Sequence, residues 1–148
     1  MYRTAVFVLA CLSASAAFAA PAASAVSAAS AAAPAANPLS VHVLDLQSGK
    51  PTAGIAVTLE ARAGDGWREL AAATTDAQGR VKALFPAGQA MAAGDYRIVF
   101  GTGEYYRQHG QPTFFPRIPV EIHVDDPAQH THVPLLLSPF GYSTYRGN

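Results

Sequence analysis

Three histidines stand in stretches where apolar and polar residues alternate. His130 and His132 open the run His130-Thr-His-Val-Pro-Leu-Leu-Leu137, which Ser138-Pro139 breaks, and His42 lies within Leu39 to Asp45. Side chains two apart on a strand share a face. Val41 and Val43 therefore oppose Ser40, His42 and Leu44, while Val133, Leu135 and Leu137 oppose His132, Pro134 and Leu136. With the valine and leucine faces turned into a core, His42 and His132 both project from outer sheet faces, where a site at a subunit interface becomes feasible. Imidazole titrates near neutral pH, so such a pair can deprotonate a water and orient or relay its proton. A lone exposed histidine is ordinarily a plain surface residue, so the faces alone do not decide between these readings.

Other chemistries are less well supplied. His130 and His132 have the i, i+2 spacing of a transition-metal pair, with Asp125 and Asp126 nearby. No further ligand follows at a recognisable spacing, so no metal is expected. Neither Ser138 nor Ser143 sits in a Gly-x-Ser-x-Gly elbow. Trp67, Tyr105 and Tyr106 read as packing residues.

The elements that must carry these residues are strands. Turn signals recur every eight to twelve residues from position 39 onward, at Ser48-Gly-Lys-Pro51, Ala63-Gly-Asp-Gly66, Asp76-Ala-Gln-Gly-Arg80 and Gly94-Asp95. Between them lie strand-like runs at Leu39–Asp45, Ile55–Arg62, Trp67–Thr74, Val81–Phe85, Tyr96–Phe100, Val120–Val124, Thr131–Leu137 and Tyr142–Arg146. Thr102 to His109 is the one helical stretch, with Thr102 placed to cap it and Gly110 to end it. Burying about eight half-apolar strands calls for an all-β fold, a two-sheet antiparallel sandwich with one short helix.

Three of these segments carry a resemblance. Leu39-Ser-Val-His-Val-Leu-Asp45, Thr75-Asp-Ala-Gln-Gly-Arg80 and the tail His130 to Asn148 resemble, in order, motifs of the 5-hydroxyisourate hydrolases of the transthyretin-like family. The resemblance implies that His42, Arg80 and His132 are catalytic, and that Tyr145 and Arg146 help them bind a purine-derived substrate. Neither histidine is singled out as the base. An arginine suits an electron-rich ring and the oxyanion formed on an attacked carbonyl. The tail usually ends Tyr-Arg-Gly-Ser in those enzymes and here reads Tyr145-Arg-Gly-Asn148. The implied activity is cofactor-independent hydrolysis of 5-hydroxyisourate to 2-oxo-4-hydroxy-4-carboxy-5-ureidoimidazoline in urate degradation, by a homotetramer with channels where dimers meet. The rival reading is a carrier that holds a small aromatic ligand in the channel without turnover. A carrier has no need of two histidines and two arginines there.

The first part of the chain reads differently. Arg3, the apolar run Ala5 to Leu12 and Ala17-Phe-Ala19 have the layout of a secretory signal peptide, residues 1–19. The apolar run is too short to span a bilayer, which takes about 20 residues. Residues 20–38, nearly all Ala, Ser and Pro, are expected to be a disordered linker, leaving 39–148 as the domain. The location expected is therefore exported, in a periplasm, with no membrane attachment after cleavage. The single cysteine, Cys11, would leave with the signal, so no disulfide supports the domain. Without Arg3, nine basic residues face ten acidic ones, a balance that offers nucleic acid no basic patch.

Overall fold

Alternation becomes eight strands in two four-stranded sheets over residues 36–147, the part of the computed structural model described here. The leader, Cys11, residues 20–35 of the expected linker and Asn148 lie outside the described residues. The first sheet has the order β4-β1-β7-β8, from β1 (Leu39–Asp45), β4 (Arg80–Val81), β7 (Thr131–Ser138) and β8 (Gly141–Thr144). The second has the order β3-β2-β5-β6, from β2 (Ala56–Ala63), β3 (Gly66–Thr74), β5 (Gly94–Gly101) and β6 (Ile118–Val124).

The faces divide as the alternation requires. Leu39, Val41 and Val43 of β1 and Val133, Leu135 and Leu137 of β7 are buried against Val57, Leu59, Ile98 and Phe100 of the other sheet. Full burial of such a side chain contributes about 1.5–3 kcal/mol. The two strands that carry the histidines are thus the most firmly seated in their sheet. His42 and His132 lie on its outer face.

Four details depart from the sequence expectation. First, β1 and β7 run parallel, the one non-antiparallel pairing among the named strands, with Ser40 opposite His132 and His42 opposite Pro134. The two strands start at the same end, tied there by the Thr131 N–H donating to the Pro38 carbonyl at 2.8 Å. Second, the strand expected over Val81–Phe85 is only Arg80–Val81. Leu84 and Phe85 are adjacent and both buried, which a period of two cannot supply, so the chain turns there. Third, Thr102 does not cap the helix α1 (Thr102–Gln108); Gly101 holds that position, and the buried Thr102 hydroxyl donates to the Phe115 carbonyl. Fourth, Asn37, within the expected linker, is fastened to the domain: its side chain donates to the Phe85 carbonyl at 2.8 Å and accepts from the Phe85 and Leu39 amides at 3.1 Å. No helix among the described residues is long and apolar enough to cross a membrane.

Candidate active site

The turn before β4 delivers an arginine to the edge of the histidine face. Asp76 Oδ1 accepts from the Gln78 and Arg80 amides, both at 2.9 Å, and closes the turn. Those N–H donors hold the Asp76 carboxyl below its ordinary range. Gly79 is required at the tip: its φ is +69°, and a Cβ there would lie 2.4 Å from the Val43 carbonyl oxygen. The Val43 amide donates to the Gly79 carbonyl at 2.8 Å, which docks the turn on β1. Arg80 consequently pairs in register with His42.

On the outer face these elements form a concavity of about 420 Å³ lined by Ser40, His42, Arg80, His130, His132, Pro134, Tyr145 and Gly147. The His42 and His132 ring centroids are 6.5 Å apart, so the histidines converge. Both have their pKa lowered. For His42 the largest cause is burial, followed by the Arg80 cation; for His132 it is burial, then Arg80, then His42 and His130. Each effect disfavours the imidazolium, so both rings remain neutral further into the acid range than a free histidine. His42 Nε2 is buried and has no hydrogen-bond partner among the described residues. An unpaired buried ring nitrogen is costly, unless a bound molecule supplies the partner.

Ser40, which sequence reasoning left out of the site, bridges the β7 histidines: its Oγ is 2.8 Å from His130 Nε2 and 2.8 Å from His132 Nδ1. The tail closes the other side. The Gly147 amide donates to the His132 carbonyl at 2.8 Å, and a Cβ on Gly147 would lie 2.6 Å from His132 Cδ2. Only glycine lets the backbone lie this close to the imidazole.

Of the five residues nominated from sequence, His42, Arg80, His132 and Tyr145 meet in this concavity. Arg146 turns away; its Nη2 is 3.3 Å from Gln129 Oε1, and it lines a separate cleft of about 480 Å³ beside β6. His123 is engaged elsewhere, 2.5 Å from Asp95, whose carboxylate raises its pKa. Among the described residues no group of three or more His, Cys, Asp or Glu side chains is arranged to hold a metal ion.

The arrangement has the parts of a water-activating hydrolytic site: two imidazoles whose protonation is disfavoured, a guanidinium on the same lining and a concave floor. A family model described as HIUase/Transthyretin family matches residues 39–147. The 5-hydroxyisourate hydrolase of Salmonella typhi is 53% identical over 113 residues, covering 76% of this chain and 82% of the relative. Among solved structures, the Klebsiella pneumoniae 5-hydroxyisourate hydrolase is 36% identical, with a TM-score of 0.65, over 74% of this chain and 98% of that one. Sea bream transthyretin, solved in complex with thyroxine, is 33% identical with a TM-score of 0.69, over 74% of this chain and 94% of that one.

Proposed function

Because the chain belongs to the HIUase/Transthyretin family, we propose that the concavity around His42, Arg80 and His132 is where it hydrolyses 5-hydroxyisourate. The chain is a hydrolase of that family. The observation that carries the site assignment is the convergence of two imidazoles, 6.5 Å apart, with Arg80 on the lining of the same concavity. One imidazole takes a proton from water as its oxygen adds to the ring carbonyl carbon. The oxyanion that forms is met by Arg80. The carbon–nitrogen bond then breaks, the proton goes to the departing nitrogen, and the ring opens to 2-oxo-4-hydroxy-4-carboxy-5-ureidoimidazoline. Tyr145 closes the rim. Arg146 serves the site only from the neighbouring cleft.

The active form is a homotetramer, supported by the unpaired edges of β6 and β8 and by Phe114 and Phe140, which are 73% and 70% exposed. The enzyme works outside the cytoplasm, supported by the signal layout of residues 1–19. Holding a small ligand without turnover is less well served, because such binding gains nothing from two imidazoles that converge beside an arginine.

The test is the ultraviolet decay of freshly generated 5-hydroxyisourate with purified protein. Decay that accelerates in proportion to protein concentration supports the hydrolase; decay at the spontaneous rate from folded protein sinks it. The tail gives a sharper check. A Gly147→Ala side chain would overlap the His132 ring, so kcat should fall about tenfold to a hundredfold, the scale of a small misplacement of a catalytic group. The thermal midpoint should stay put. An unchanged kcat would mean that the tail does not press on the imidazole in the working enzyme.

A further inference from the structure

Ser40 links the two β7 histidines in a chain of hydrogen bonds whose direction can be deduced. The Asn37 backbone carbonyl can only accept, so His130 Nδ1, 2.8 Å away, carries a proton. In the neutral ring Nε2 is then an acceptor, and the Ser40 hydroxyl, 2.8 Å from it, donates its one proton there. Ser40 Oγ has only lone pairs left to offer His132 Nδ1, also at 2.8 Å, so that nitrogen must donate. We propose that Ser40, with His130 behind it, is a positioning residue for the hydrolysis, holding His132 as the Nδ1–H tautomer so that His132 Nε2 carries the lone pair that takes the proton from water.

This assignment rests on the reading of the concavity as the hydrolase site, and it separates the two histidines that the sequence leaves equivalent. The chain begins at a fixed point, since Asn37 is pinned by three side-chain bonds to Phe85 and Leu39. When His132 Nε2 gains its proton, the Nδ1–H bond to Ser40 stays in place. The base therefore needs no rearrangement at the moment of reaction. A proton added to His130 Nε2 reverses both Ser40 bonds: Ser40 then accepts from His130 and donates to His132 Nδ1, and the lone pair on Nε2 is withdrawn. The groups facing His132 are His42 and Ser40 from β1, Arg80 from β4, His130 from its own strand run, and Tyr145 and Gly147 from the tail.

The tautomer can be read directly from the two-bond proton–nitrogen spectrum of protein labelled with 15N in histidine, at about pH 8, where imidazoles are ordinarily neutral. The wild-type protein and Ser40→Thr, which keeps the hydroxyl on a strand that favours threonine, should show His132 as Nδ1–H. Ser40→Ala should show mixed tautomers, with kcat reduced about tenfold to a hundredfold and KM little changed. Threonine should restore most of that loss; a Ser40 acting as nucleophile would not tolerate it. His130→Phe breaks the same chain one step back, at an exposed position, and should reproduce the alanine result should Ser40→Ala fail to fold. An active wild-type protein with His132 as Nε2–H would overturn the proposal alone. So would Ser40→Ala with tautomer and kcat unchanged. A wild-type protein with the Nδ1–H tautomer but no turnover would instead sink the hydrolase reading, and the role of Ser40 with it.

Discussion

With His132 replaced by alanine, kcat for 5-hydroxyisourate is expected to fall by about 10²–10⁴-fold, the usual contribution of a positioned general base. The fold should survive. His132 lies on the outer face of β7, while Val133 and Leu135 beside it hold the strand to the core. Its removal leaves Ser40 still paired with His130. The measurement is the initial rate of ultraviolet decay, corrected for spontaneous loss, alongside a thermal melt. A variant within about threefold of wild type would remove His132 from proton transfer, because a base worth so little lies outside that range. Collapse of the melt would mean that the ring is structural.

The second large effect is at Arg80, where two substitutions separate charge from shape. Arg80→Lys keeps a cation but loses the planar fork, so kcat/KM should drop about 10²–10³-fold, as when a single oxyanion donor is lost. Arg80→Met removes the charge as well. The Arg80 cation disfavours protonation of both His42 and His132 and holds their pKa values down. Without it, each imidazole gains a proton more readily, so the acid limb of the rate profile should move to higher pH. The lysine variant should keep that limb close to its original place. If both variants have the same pH profile, Arg80 does not set the state of the imidazoles. If Arg80→Lys retains full activity, the guanidinium is not the oxyanion donor.

Most of this architecture was legible because a period of two is a strong constraint. Val41, Val43, Val133, Leu135 and Leu137 are buried and His42 and His132 are outside, as the alternation required. What alternation cannot carry is which strand lies beside which. Ser40 looked like one more polar residue on an outer face. Its role appears only once β1 and β7 pair in parallel with Ser40 opposite His132. Arg146 shows the converse: Tyr145 lines both clefts while its neighbour Arg146 lines only the one beside β6, and a motif match does not say which cleft each residue enters. The shortened β4 goes with adjacent burial of Leu84 and Phe85, which alternation forbids, and with the Asn37 side chain taking both backbone groups of Phe85.

The parallel seam between β1 and β7 also bears on how the chain reaches its working state. Ser40 and His132 are 92 positions apart in sequence. Joining such distant segments costs loop-closure entropy before any contact repays it. Pairings of this separation are characteristically late and slow. Hairpins such as β2 with β3 can close early, but the concavity has no existence until the two ends of the domain have met. Catalytic competence is therefore expected late in folding, and a chain in which β1 and β7 have not yet paired has its histidines apart, whatever structure its second sheet has gained.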